Sequence, residues 1–245
     1  MLLRRITEHF RTQNWAAVLL DLIVVIVGVF IAFQVESWYE HRRLVSDEQQ
    51  YLQSLAQDFE LAHENISWVI ARLEAAQAAS QELLSLEPDD PVTSDEFYRL
   101  VADSQRVGTL EPKRRTYDTL VATGQIEAIQ DQSLTSNLGD FFSFLERQLQ
   151  VRSRWNNELA NTWFPYITKN IDHVAMVKFA HPGDSDDLTP THSEPKFREL
   201  LGTDEFEGIV VLRWHFARDR AWALRQLLER VEAIQQKIED NLAPS

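Results

Sequence analysis

The sequence predicts an all-α protein: one N-terminal transmembrane helix followed by an elongated antiparallel helical bundle with coiled-coil-like heptad seams. Three observations predict it. The run AAVLLDLIVVIVGVFIAF, Ala16 to Phe33, is apolar over a membrane-spanning length. Glycine and proline are scarce, at 7 and 8, while strong helix formers recur throughout. Beyond the run, apolar residues return at spacings of three and four for several heptads. The expected division is an interfacial amphipathic helix over 1–14, the transmembrane helix over 15–37 and an extramembrane helical bundle domain over 38–245.

In the segment MLLRRITEHFRTQN, helical spacing puts Leu2, Leu3, Ile6 and Phe10 on one face and Arg4, Arg5, Glu8 and Arg11 on the other. That pattern suits a short helix in the lipid headgroup layer. The 21 residues from Trp15 to Val35 would rise about 31 Å as a helix, close to the hydrocarbon thickness of a bilayer. Asp21 interrupts this run at a cost of about 2.5–3.5 kcal/mol on the insertion scale. The 13 Val, Leu, Ile and Phe residues between Ala16 and Phe33 return roughly 4–8 kcal/mol, so insertion survives the aspartate. Gln34-Val35-Glu36-Ser37-Trp38 offers no small-x-small cleavage site, which favours an uncleaved anchor over a signal peptide. The N-terminal arginines favour a cytoplasmic N-terminus and a periplasmic C-terminal domain, although Arg42 and Arg43 flank the far end.

Asp21 shares one stripe with Ala17, Val25, Gly28 and Ala32. Small residues allow close approach of helix backbones, and an intramembrane carboxyl group normally faces protein or water. Together they predict self-association through Ala17, Asp21, Gly28 and Ala32, a homo-oligomer in the bilayer.

After the span, Leu52, Leu55, Phe59, Ala62, Ile66, Val69, Leu73, Ala76, Ser80 and Leu83 form a seam broken only by Ser80. Its helix is expected over 46–86, stopping at Pro88-Asp89-Asp90-Pro91; whether it continues the span stays open. A short helix is expected from Ser94 to Gly108, and another over 115–123 with Gly124 as its left-handed cap. A long helix from Asp131 buries Leu134, Leu138, Phe141, Leu145, Leu149, Leu159 and Trp163, with a kink or stop at Pro165. His181 to Pro195 reads as a loop. The last helix, 203–242, carries Val210, Trp214, Ala217, Ala221, Leu224, Leu228, Val231, Ile238 and Leu242 inward.

The formal charge of -14 falls entirely after residue 37, because residues 1–37 hold three acidic and three basic side chains. An acidic body argues against nucleic acid as a partner. The absence of cysteine excludes disulfides, thiolate nucleophiles and cysteine-based zinc sites.

The stretches DLIVVIVGVFIAFQVESWYE, DEQQYLQSLAQDF and RRTYDTLVATGQIEAIQDQSL resemble a family of bacterial single-span membrane proteins known as a domain of unknown function. The resemblance covers most of the chain. That family carries an acidic residue, usually glutamate, where Asp21 stands, and a glycine where Gly28 stands; the shorter aspartate shifts the depth of the carboxyl group. The resemblance implies a bacterial inner-membrane location and no particular activity.

Lys113-Arg114-Arg115 is the only basic triplet in the acidic domain, and with Tyr117 it is a candidate contact for an acidic partner or an anion, against the plainer reading that it pairs with neighbouring carboxylates. The loop with His181, Asp184, Asp186, Asp187, His192 and Glu194 has metal-binding residue types in no recognised spacing, so no metal and no cofactor is assigned. His63, His173 and His215 stand singly in helical sequence, and the tryptophans suit core or interfacial positions. No phosphate-binding glycine loop, nucleophile elbow or triad is present. The sequence therefore predicts no enzyme but a membrane-anchored, self-associating scaffold or interaction module, with an Asp21-lined cation or proton pathway and an extracytoplasmic sensor or accessory domain as alternatives. The protein partner is not specified.

Overall fold

The computed structural model describes residues 15–111, 113–180 and 196–243. The expected interfacial helix over 1–14 and the loop from His181 to Pro195 lie outside the described residues. Among the described residues seven α-helices follow one another: α1 Trp15–Ser85, α2 Ser94–Ser104, α3 Arg115–Ala122, α4 Gln132–Asn161, α5 Trp163–Asn170, α6 His173–Ala180 and α7 Asp204–Leu242. Short 3-10 turns occupy Gln125–Ala128 and Lys196–Glu199, and no strand occurs among the described residues. The chain divides into two units, Met1–Gln50 and Tyr51–Ser245.

In the first unit, every residue from Leu19 to Glu40 is exposed, apolar side chains included. This part of α1 is long and apolar enough to cross a membrane. Trp38 stands at its polar end with the Arg42 guanidinium 4.3 Å from its ring centroid, an amphipathic pair suited to a water–lipid boundary.

In the second unit, all ten seam residues from Leu52 to Leu83 are buried. Ser80 is tolerated there because its hydroxyl donates to the Ala76 carbonyl at 2.8 Å, so no polar atom is stranded. Buried side chains fall into two clusters. One joins Leu52 to Ala76 of α1, Leu134 to Leu145 of α4 and Ala217 to Ile238 of α7. The other joins Ala79 and Leu83 of α1, most of α2, Leu159, Trp163, Met176, Phe197 and the Phe206 to Phe216 end of α7. The first is mainly aliphatic with Phe59, Phe141 and Phe142 at its centre; the second is aromatic, with Phe97 stacked on Phe197 at 4.8 Å.

Several boundaries differ from the sequence expectation, each for a local reason. The helix from Ser94 stops at Ser104 rather than Gly108. Gly108 instead lets backbone pass close to α1, where a Cβ would meet the Val69 Cα at 3.0 Å. Gly124 does adopt the left-handed conformation, φ 73°, at the end of α3. The break near Pro165 falls earlier, at Thr162, and Pro165 sits in the first turn of α5, where a missing N–H removes no helical bond. Helix α4 begins at Gln132 because the Asp131 carboxylate accepts from the N–H groups of Ser133 at 2.8 Å and Leu134 at 3.2 Å.

On α7 the seam runs partly one residue off. Arg213 and Leu227 are buried, and Trp214 and Leu228 are only half-buried. Charge hid Arg213 from a hydrophobic count. Trp163 is the only fully buried tryptophan side chain among those described; Trp38, Trp68 and Trp222 are exposed, so of the core and interfacial positions expected for tryptophan only Trp163 is fully buried in the core.

Candidate functional sites

Asp21, Gly28 and Ala32 lie on one exposed side of α1, and a Cβ added at Gly28 would meet nothing within 4 Å. The Ala17 side chain lies outside the described residues. Among the described residues nothing packs against the stripe.

The basic triplet is drawn into its own neighbourhood. Arg114 donates to Asp118 at 2.8 Å and to Glu146 of α4 at 2.9 Å, which raises its pKa. Lys113 lies 3.7 Å from Glu111. Arg115 is exposed, and half-buried Tyr117 stacks on Phe142 with centroids 4.2 Å apart, a packing role that covers one face of its ring. Of the four residues, Arg114 and Tyr117 thus hold α3 to α4, and their charge and ring area are largely used inside the fold.

Two helices meet the irregular stretch between α2 and α3 with polar side chains. From α1, Asn65 donates to the Thr109 carbonyl at 3.2 Å and accepts from the Glu111 N–H at 2.9 Å. From α7, Arg213 Nε donates to the Ser104 carbonyl at 2.6 Å and Nη2 to the Arg106 carbonyl at 3.4 Å, while Arg220 donates to the Gly108 carbonyl at 3.1 Å. Arg213 and Arg220 are seven residues apart, so they project from the same side of α7. The stretch has no ladder partner, and these side chains satisfy its backbone instead.

Arg213 is only 2% exposed. Burial, then the neighbouring charge of Arg220, pushes its pKa down to about 10, which still leaves it charged at neutral pH. It lines a cavity of about 330 Å³ with Gln105, Val107, Leu159, Trp163 and Phe164. No sequence motif marks this place. The available signal was one arginine on the inward side of an otherwise apolar helix face, at the spacing of the seam.

Among the described residues no group of three or more His, Asp or Glu side chains could hold a metal ion. His63 lies 3.5 Å from Glu232, and His215 lies 3.2 Å from Asp219, both on open surface. The metal-type residues from His181 to Glu194 lie outside the described residues. Comparison with protein-family models, curated proteins and solved structures found no match to this chain.

Proposed function

We propose that the chain is a membrane-anchored, self-associating helical bundle that serves as a non-enzymatic scaffold or interaction module. One observation carries the reading: a carboxylate, Asp21, set in an apolar helical surface that no other part of the described chain covers. Such a surface belongs in lipid, and such a carboxylate calls for a second helix or water beside it. The small side chains of Gly28 and Ala32 on the same stripe favour a second copy of the same helix. The anchor then sits in a bacterial inner membrane with a cytoplasmic N-terminus and the domain in the periplasm, in keeping with the family resemblance and the N-terminal arginines. The domain is an antiparallel bundle with heptad-like seams. Its support is the order of burial: α1 and α4 enter the aliphatic cluster first and the aromatic cluster second, whereas α7 enters them in reverse.

Quantitative crosslinking in native membranes at matched expression tests this reading. Asp21→Asn should assemble as the wild type does, since an amide still hydrogen-bonds between helices with about 0.6–2 kcal/mol. Asp21→Leu should assemble less, and Gly28→Leu least, because a side chain at 28 points into space free of the described residues and its bulk acts against a neighbouring helix. Equal crosslinking for all four proteins rejects association through this face.

A further inference from the structure

A guanidinium removed from water needs its hydration replaced, donor by donor. Arg213 replaces part of it with the Ser104 and Arg106 carbonyls, a brace at the C-terminal end of α2. Its Nη1 is buried and has no hydrogen-bond partner, and no carboxylate forms an ion pair with it among the described residues. The brace accounts for Nε and Nη2 and the Phe216 ring centroid lies 4.9 Å from the guanidinium carbon, which still leaves Nη1 without a hydrogen bond.

Trp163 repeats the pattern across the same cavity. Its side chain is 2% exposed, and its indole Nε1 also lacks a hydrogen-bond partner among the described residues. These two donors ask for an acceptor, and the cation asks for a negative one. The rest of the lining is chiefly apolar, and the volume of about 330 Å³ is in the range of small-ligand pockets.

We propose that this cavity binds a small organic monocarboxylate with an apolar body. Its carboxylate pairs with Arg213 and accepts from Trp163, while its apolar part rests on Leu159 and Phe164. One guanidinium balances one negative charge, and its planar fork matches a carboxylate. A dianion would bring an uncompensated charge into the site, and a cation would be repelled. This inference goes beyond the scaffold reading and does not depend on self-association.

The test uses the purified full chain in lipid nanodiscs, with phenylacetate, its neutral isostere phenylacetamide and phenethylammonium as probes. Calorimetric titration should give saturable binding of phenylacetate, and only phenylacetate should raise the unfolding midpoint. Arg213→Gln should weaken phenylacetate at least about tenfold, the mark of a lost ionic contact. Because that variant also loses part of the brace, Val107→Trp provides a second route. Val107 lines the cavity, is half-exposed and touches none of the Arg213 hydrogen bonds, so filling the space there should leave the ligand-free midpoint in place and abolish phenylacetate binding. The proposal is overturned by equal responses to phenylacetate and phenylacetamide, by no binding up to roughly 10 mM, or by undiminished binding in Val107→Trp.

Discussion

The turn at Pro88 to Val92 and the stretch from Ser104 to Gly108 are both irregular backbone held by arginine, under opposite conditions. Arg198 is exposed, yet it donates to three carbonyls, those of Pro88 at 2.8 Å, Asp90 at 2.9 Å and Val92 at 2.9 Å. Arg213 is buried and reaches two, one of them at 3.4 Å. Water would have served the exposed arginine, yet both of its terminal nitrogens are on carbonyls; the buried one, with far less water about it, leaves Nη1 without a hydrogen bond among the described residues. The contrast separates a residue that shapes a turn from one whose burial is incompletely compensated by the chain alone.

Substitutions at the two places should differ in size. Arg213→Ala should cost the most, about 3 kcal/mol, because it strands the buried Ser104 carbonyl and opens a hole beside Trp163 and Phe216. Chemical denaturation of the full chain in nanodiscs reads that loss, and a cost below that of Arg198→Ala would break the contrast. Gly108→Ala comes next at about 2 kcal/mol, since the new Cβ would lie 2.7 Å from the Val69 Cγ2 and 3.0 Å from its Cα. Adding Val69→Ala should recover part of it in a double-mutant cycle. Arg198→Ala should cost about 1 kcal/mol, as water takes over the exposed carbonyls.

The smallest effect should come from Asp131, the carboxylate counterpart of these arginines. Its pKa is lowered to about 2, first by the Ser133 hydroxyl at 2.6 Å and also by Asn241 and the Leu134 and Ser133 N–H groups. A folded pKa below the unfolded one stabilises the fold above about pH 4, and that contribution is lost as pH falls toward 2. Asp131→Asn, which still caps α4, should therefore lie within about 1 kcal/mol of the wild type at pH 7. Its unfolding midpoint should fall less steeply between pH 5 and pH 2.5 than that of the wild type.

Helical periodicity made much of this architecture legible. The seam from Leu52 to Leu83 could be read residue by residue, because a long helix packed along one side leaves a regular mark. Asp131, Thr93 and Thr203 stand where helix starts require them, and their side chains accept from N–H groups of the first turn. What escaped was structure set by partners far along the chain. Gly108 looked like a helix end, and only the approach of Val69 explains it. Arg213 falls outside any count of apolar residues, and only the carbonyls of residues 104 and 106 show why it turns inward. Helix α6, eight residues from His173 to Ala180, was too short and too uniformly apolar for periodicity to mark it.

The stretch from Gln105 to Glu111 has a further consequence for motion. Its carbonyls are held by Asn65, Arg213 and Arg220, and its Glu111 N–H by Asn65, so much of its polar anchorage is side-chain rather than helical. Such anchorage can release in one step while the helices on either side stay wound. Amide exchange along this stretch should then run ahead of exchange in α2 and α7, and it should slow when a ligand engages Arg213. The segment would act as the molecule's latch, opening and closing on its own clock.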